Sequence, residues 1–288
     1  MDTVTGALRH VLVATDLSEP AAAAVIRAAH LATEHGARLT ALHVEPTGMR
    51  TDFSEPARGA VAALVDGLLD PSASADAAPT ITVRRGRAAV EITAEAADTA
   101  ADLVVIGASG EHGLVEALLG STAENVVRMS PVPVLVVKRP GTDSYRSVVL
   151  ALDATTESAE AARFGLGLTP AADHVVVHVS TVVGESLMHA FGVSGDDVEG
   201  LRRAALDRAR RDISRLTGTL NPCPREIAVV GGHPPTALEG AARSVDADLI
   251  VVGTGARSRL SYAFLGSVAQ HVMREAQCDV LVVPTLGA

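Results

Sequence analysis

The sequence predicts two consecutive α/β domains, each with a parallel β-sheet covered by helices on both faces. Short apolar runs of roughly five residues alternate with helical segments of roughly ten to eighteen residues, the pattern of right-handed βαβ units. This order of segments repeats after a short segment with Pro and Gly at residues 139–143. The chain of 288 residues is therefore expected to divide into domains at residues 1–143 and 144–288.

In the first half, caps and breakers set the expected ends of the elements. Ser18 is expected to cap the first helix, with Pro20 in its first turn, and Gly36 is expected to end it. The predicted strands are His10–Thr15, Arg38–Val44, Thr80–Arg84, Asp102–Gly107 and Pro133–Lys138. The predicted helices are Ser18–His35, Glu55–Leu69, Ala88–Ala100 and Thr122–Met129.

The second half repeats this order, which supports a duplicated domain. Its predicted strands are Ser147–Leu152, His174–Val179, Glu226–Val230, Asp248–Val252 and Asp279–Val283. Its predicted helices are Thr156–Leu166, Val198–Leu216 and Thr236–Val245. Within the second strand, His174 and His178 are interpreted as strand residues rather than metal ligands, because Val175–Val177 lie between them.

Composition and charge restrict the classes of partner. The formal net charge is −10, with no basic tract, so a nucleic-acid partner is not expected. There is no Trp, and the aromatic residues are only two Tyr and four Phe, too few for a base-stacking surface. No apolar stretch reaches about 18 residues and no export signal is evident, so we expect no membrane association and a cytoplasmic location.

The stretch from Asp102 to Thr122 is the most informative part of the chain. An apolar strand ends at Gly107, further glycines follow at Gly110 and Gly113, and a helical pattern begins after Gly120. Ser121 is expected to act as the N-cap of that helix, and Ser267 as the cap of the corresponding helix in the second half. A strand, a glycine loop and a helix N-terminus direct unpaired backbone N–H groups at one place, which favours an anion such as a nucleotide phosphate.

Two common phosphate motifs are excluded by this spacing. A Walker loop requires Lys after its last glycine, but Ser121 and Ser267 occupy that position. The dinucleotide fingerprint G-x-G-x-x-G also fails, because Ser109 and Ser258 stand where glycines are required.

What the chain does contain is G-x2-G-x9-G-[S/T], which begins at Gly107, and it contains a strand that ends at Asp16. With Val11–Pro20 and the closing run Pro131–Val137, this layout resembles the universal stress protein family in its tandem form, over nearly the whole chain. The resemblance implies two open five-stranded parallel sheets of strand order 3-2-1-4-5. It also implies ATP, with Mg²⁺ possible, across the carboxyl ends of strands 1 and 4.

The resemblance also implies which residues contact the nucleotide. Asp16 would contact the adenosine part, Ala14 would allow close approach, and Val44 would offer backbone groups to adenine. The phosphates would be surrounded by Gly107, Gly110, Gly113, Gly120, Ser121 and Thr122. The matching positions in the second half are Ala151, Asp153, Val179, Gly253, Ala256, Gly266, Ser267 and Val268.

The second half departs from the family pattern at Ala256, where the motif has its second glycine. A Cβ at a position of positive φ costs roughly 1 kcal/mol. Gly255 is an alternative residue for the turn, and Arg257 and Arg259 are cations that could offset a poorer fit around phosphate. Nucleotide binding is therefore expected more at the first site than at the second, and neither site is excluded.

Several functions remain open at this point. The leading expectation is an ATP-binding stress-response regulator. Nucleotide would order its glycine loops and so change a surface that an unknown protein partner or a second copy of the chain recognises. A slow ATPase is an alternative, with Glu111 and His112 as the only side chains beside the first loop that suggest catalysis. A further alternative is an interaction module without nucleotide, in which Asp16 and Asp153 merely cap helices. Another adenine nucleotide such as cyclic AMP is also compatible.

The resemblance implies an assembly as well. The two halves are expected to pack as a pseudo-dimer through Val134–Val137 and Val280–Val283, and two chains are expected to form a homodimer.

Overall fold

The structure is a computed structural model that describes residues 8–47, 54–68, 78–109, 119–141, 143–181, 191, 194–255 and 265–284. Its strands are β1 (His10–Ala14), β2 (Arg38–Glu45), β3 (Thr80–Arg85), β4 (Leu103–Gly107), β5 (Val134–Val137), β6 (Ser147–Ala151), β7 (Asp173–Ser180), β8 (Glu226–Gly231), β9 (Leu249–Gly253) and β10 (Asp279–Val283). Its helices are α1 (Glu19–His35), α2 (Ser54–Leu68), α3 (Ala88–Asp98), α4 (Ser121–Met129), α5 (Thr156–Leu168), α6 (Gly195–Thr217), α7 (Pro234–Ser244) and α8 (Ser267–Glu275).

The strand order confirms the predicted fold class. Each half forms a parallel five-stranded sheet, β3-β2-β1-β4-β5 in the first half and β8-β7-β6-β9-β10 in the second. Within each half this is the order 3-2-1-4-5. In the first half, β2 lies on one side of β1 and β4 on the other, so the order of the strands reverses at β1. Open α/β sheets bind ligands at such a switch point.

The two half-sheets join edge to edge, which confirms the expected pseudo-dimer. β5 and β10 pair antiparallel, with Val136 opposite Val280 and Leu135 opposite Leu281, so one sheet of ten strands results. Because the joint is antiparallel, the carboxyl ends of β1–β5 lie along one border of the sheet. The carboxyl ends of β6–β10 lie along the opposite border.

Each face of the sheet carries one hydrophobic core that runs through both halves. On one face, α1, α2, α5 and α6 contribute buried side chains such as Leu31, Leu166 and Ile213. On the other face, α3, α4, α7 and α8 contribute side chains such as Val126 and Met273. Both cores cross the β5–β10 joint, so burial of apolar surface holds the halves together in addition to strand pairing.

Local signals explain where the helices begin and end. Ser18 caps α1 as predicted, since its Oγ accepts a hydrogen bond from Ala21 N at 3.3 Å. Gly36 ends α1 with a φ of 62°, a conformation that glycine adopts without strain. Thr155 caps α5 in the same way, with Ser158 N as donor at 3.2 Å.

A buried polar cluster stabilises the junction between the two halves. Asp279 at the start of β10 accepts hydrogen bonds from Lys138 N at 2.8 Å and from Tyr145 Oη at 2.7 Å. The Arg27 guanidinium of α1 lies 4.2 Å from the centre of the Tyr145 ring and donates to Asp143 O. Burial raises the pKa of both Asp279 and Tyr145, because desolvation disfavours their charged forms.

None of the helices within the described ranges is both long and apolar enough to cross a membrane.

Candidate functional site

A cavity of about 640 Å³ opens at the carboxyl ends of β6, β7 and β9 in the second half. It lies at the switch point of that half-sheet. The predicted residues that line it are Ala151, Asp153, Val179, Gly253, Gly266, Ser267 and Val268. Ala256, the remaining predicted residue of this half, lies outside the described residues. The structure therefore brings the described members of the second-half set together around one space.

One wall of the cavity is the N-terminus of α8. The N-cap is Gly266, so the prediction that Ser267 caps this helix is wrong, and the cap residue has no side chain to bond to the first turn. Gln270 N is the first backbone donor to bond within the helix, to Gly266 O at 2.9 Å. The N–H groups of Ser267, Val268 and Ala269 therefore have no partner inside the helix, and these residues line the cavity.

The backbone around Gly266 is closely packed, which explains why glycine is needed there. Gly266 N donates to Thr254 O at 2.8 Å, joining the loop after β9 to the start of α8. A Cβ on Gly266 would lie 3.0 Å from that same carbonyl oxygen. Gly255 takes a φ of 75°, so the chain turns there with positive φ, next to Ala256.

Asp153 also lines the cavity, directly after β6, where it bonds to the cap of the next helix rather than forming the cap itself. Its Oδ1 accepts hydrogen bonds from Thr155 N at 3.2 Å and from Thr155 Oγ1 at 2.5 Å. The interpretation of Asp153 as the cap of the next helix is therefore wrong, since Thr155 is the N-cap. The carboxylate is exposed and lines the cavity, so it can also accept bonds from a ligand.

The first half repeats this local geometry at the opposite border. Gly120, not the predicted Ser121, is the N-cap of α4, and Gly120 N donates to Ala108 O at 2.7 Å. Asp16 Oδ1 accepts from Ser18 N at 3.0 Å and from Ser18 Oγ at 2.5 Å, so Asp16 is likewise not the cap.

The remaining first-half predictions lie on the same elements. Ala14 ends β1, Val44 is the next-to-last residue of β2, and Gly107 ends β4. Thr122 follows Ser121 in the first turn of α4, where N–H groups have no partner inside the helix. The predicted Gly110 and Gly113 lie outside the described residues, as do Glu111 and His112.

Two features of these sites were not predicted from the sequence. Leu17 and Ala154, each next to the site aspartate, both have a φ of 67°, which is strained for residues with a Cβ. His43 and His178 each place Nδ1 near the carbonyl of the residue after the central strand, at 2.9 Å from Thr15 O and 2.8 Å from Leu152 O. No local sequence signal predicts the positive φ, whereas a His near the end of the second strand is recognisable in the sequence of both halves.

The cavity lining defines the chemistry that the second site can perform. Among the described lining residues, the charged side chains are Asp153 and Glu157, with no Lys or Arg. Hydroxyl groups come from the lining Ser and Thr residues, which are Thr155, Ser158, Ser180, Thr181, Thr254 and Ser267. Within the described ranges, no group of three His, Cys, Asp or Glu residues is placed to hold a metal ion. The site thus offers hydrogen-bond donors and acceptors, but the described lining shows no pairing of acid and base for catalysis.

Comparison with known sequences settles the family. A sequence profile described as the universal stress protein family matches residues 7–138 and again residues 144–284. The chain belongs to the universal stress protein family. The double match agrees with the repeated half-sheets of the fold.

Individual relatives are similar over one half or over the whole chain. A universal stress protein of Mycolicibacterium smegmatis is 29% identical over 293 residues, covering 95% of this chain and 96% of its own length. One from Thermus aquaticus is 32% identical over 142 residues, covering 48% of this chain and 98% of its own length. The crystal structure of a universal stress protein from Archaeoglobus fulgidus has a TM-score of 0.66 at 19% identity, covering 96% of this chain and 98% of that one. That structural likeness concerns the fold alone.

Proposed function

We propose that this protein is a regulator that binds an adenine nucleotide, ATP in the first place, in each of two domains at residues 1–143 and 144–288. The observation that carries the proposal is the second-half cavity at the switch point, which is lined both by Asp153 and by the first turn of α8. Open α/β sheets bind their ligands at this place.

The cavity matches the parts of an adenine nucleotide. Its volume of about 640 Å³ falls within the range typical of small-molecule sites. Val177, Val179 and Leu238 supply apolar surface for the base. Asp153 supplies an acceptor for ribose hydroxyls, and the first-turn N–H groups of α8, which have no partner inside the helix, supply donors for phosphate oxygens.

In this proposal the nucleotide connects two segments that follow different strands. The Asp153 segment leads into α5, and Gly266 leads into α8, so a ligand that bonds to both fixes their relative position. ATP occupancy then changes the surface around the loops, and a protein partner or a second copy in a homodimer binds that surface. The two sites differ in sequence at Ala256, so we expect unequal affinities.

The first experiment is to denature freshly purified protein and identify the released nucleotide by chromatography and mass spectrometry. Two ATP per chain mean that both halves bind, and one supports an unequal pair. If none is released, ATP and cyclic AMP are titrated onto the protein by calorimetry. Absence of binding to both would refute the proposed function.

A matched pair of variants tests the position of the second site. Gly266→Val places a side chain against Thr254 O and should remove binding in the second half. Gly240→Val is the control, because a Cβ at this residue of α7 meets no atom within 4 Å. Nucleotide stoichiometry that falls in both variants, or in neither, would contradict the assignment.

A further inference from the structure

We propose that Lys138, which belongs to the first half, is a positioning residue for the nucleotide site of the second half. It acts by holding the C-terminus of α8, the helix whose N-terminus lines the cavity. This inference rests on the proposed function, since it concerns how the same site is built. Lys138 is also the single lysine of the chain, so no other ammonium group can replace it.

The contact is made to the end of the helix where carbonyl groups lack partners. Lys138 Nζ donates to Ala276 O at 2.7 Å and to Arg274 O at 3.3 Å. The last four carbonyls of a helix have no donors within it, and they carry the negative end of the helix dipole. A cation there stabilises the helix, and an anion at the N-terminus of the same helix interacts with the same dipole.

Hydrogen bonds on both sides of Lys138 fix its backbone, so the side chain that carries the amine starts from a defined position. Lys138 N donates to Asp279 Oδ1 at 2.8 Å, and Arg139 N donates to the same oxygen at 3.3 Å. The preceding residue, Val137, accepts a hydrogen bond from Ala108 N at 2.8 Å. Ala108 directly follows Gly107 in the loop of the first-half site. Lys138 therefore connects the border of the first site with the helix of the second.

The arrangement has no equivalent in the other direction. In the repeat, Lys138 corresponds to Pro284 and Asp279 corresponds to Pro133, and proline offers neither an amine nor a carboxylate. At the end of α4, Ser130 Oγ donates to Val132 O at 2.7 Å. The contact with Lys138 thus belongs to α8 and not to α4, although the two helices occupy equivalent places in their halves.

The electrostatic environment of Lys138 is consistent with its contact to the C-terminus of α8. Burial lowers the pKa of Lys138 from its ordinary value of 10.5, because desolvation disfavours the ammonium form. The carboxylates of Glu275, Asp279 and Glu239 oppose this shift. Removing a lysine from water is unfavourable unless its donors are satisfied, and the carbonyls of Arg274 and Ala276 accept from two of its three N–H groups.

The first test follows α8 without any ligand. Amide hydrogen exchange is measured by mass spectrometry in wild type, Lys138→Met, Lys138→Gln and Lys138→Arg. Exchange in α8 should rise about 2- to 5-fold in Lys138→Met, with α4 in the same molecule unchanged as the internal control. Lys138→Arg should restore protection, and Lys138→Gln should restore only part of it because it donates without a charge. Equal exchange in α8 of all four proteins, or an equal rise in α4, would overturn the inference.

The second test concerns nucleotide. Gly120→Val leaves the second site as the binding site, and Gly266→Val leaves the first. Adding Lys138→Met should weaken ATP binding about 2- to 5-fold in the Gly120→Val protein and by less than 2-fold in the Gly266→Val protein. If second-site affinity is unchanged, the positioning inference fails while the proposed function stands. If wild type and both single variants bind neither ATP nor cyclic AMP, the proposed function fails, and hydrogen exchange still decides whether Lys138 holds α8.

Discussion

At the scale of single residues, the two N-cap glycines show how tightly each site is built. A Cβ on Gly266 would lie 3.0 Å from Thr254 O, whereas a Cβ on Gly120 would lie 3.4 Å from Ala108 O. Both residues have negative φ and extended backbone, so backbone conformation does not require glycine at either position. Steric contact requires it at Gly266, whereas 3.4 Å at Gly120 is an ordinary van der Waals distance. The second half therefore tolerates less change at this position than the first.

This difference gives a prediction for conservative substitutions. Gly266→Ala should lower the free energy of unfolding by about 1–3 kcal/mol, because a backbone carbonyl must move to admit the methyl group. Gly120→Ala should cost less than about 1 kcal/mol. Urea unfolding followed by circular dichroism measures both. Equal losses, or a larger loss for Gly120→Ala, would contradict this account of the packing.

At the scale of helices and strands, the cap of α5 connects stability with the site. Thr155 Oγ1 accepts from Ser158 N at 3.2 Å and donates to Asp153 Oδ1, so a single hydroxyl starts the helix and orients the aspartate. Ser194 caps α6 through Asp197 N, but it does not line the cavity.

Thr155→Ala should therefore lower both the free energy of unfolding and the ATP affinity of the second half, whereas Ser194→Ala should lower the free energy of unfolding alone. Each should lower the free energy of unfolding by about 1 kcal/mol through loss of the cap. Only Thr155→Ala should also weaken ATP binding by the second half, because Asp153 loses a donor that holds it. Thr155→Ser retains the hydroxyl and should preserve both properties. A comparable loss of ATP affinity in Ser194→Ala would show that the effect is a general one of stability.

The elements themselves were predictable from the sequence, with ends accurate to about three residues. Apolar runs, Ser18 and Gly36 carry local signals for strands, caps and stops. The first residues of α4 and α8 were misjudged, because Ser121 and Ser267 have the side chains of caps while glycine occupies the cap position. The positive φ of Leu17 and Ala154 has no local signal, since leucine and alanine do not favour this conformation.

The residues that form the site were predictable from the sequence, but their arrangement in space was less so. Asp153 and Gly266 are more than a hundred residues apart, yet the repeat and the switch-point rule place them at one border. The contact of Lys138 with α8 was not predictable, because it depends on the register of the antiparallel β5–β10 joint.

At the scale of the whole molecule, an ion-pair cluster joins the two halves on the face of α4 and α8. Glu124 accepts from Arg128 of its own helix at 2.7 Å and from Arg274 of α8 at 3.0 Å. In the repeat its counterpart is Gln270, so one carboxylate serves both arginines. Hydrogen bonds from Arg128 and Arg274 hold the pKa of Glu124 below its ordinary value of 4.5.

The lowered pKa of Glu124 predicts a pH dependence. The stabilisation is fully present above pH 4.5, and it is lost as the pH falls through the lower folded-state pKa, where the carboxylate becomes protonated. Glu124→Gln should thus lower the free energy of unfolding by about 1 kcal/mol at pH 7, and this difference should shrink below pH 4.5. Glu199→Gln is the control, because its pair with Arg202 is exposed. A difference that stays constant down to pH 3 would contradict the prediction.

The antiparallel joint has a consequence for any complex that this chain forms. Since the two half-sheets run in opposite directions, the carboxyl ends of their strands, where the proposed nucleotide sites lie, are at opposite borders of the sheet. If partners bind at these borders as proposed, a partner with a flat contact surface can touch the border of one half and not of both. Two such partners would then bind one chain without competing. Crosslinked complexes of such partners should then contain two partner molecules per chain, arranged on opposite sides.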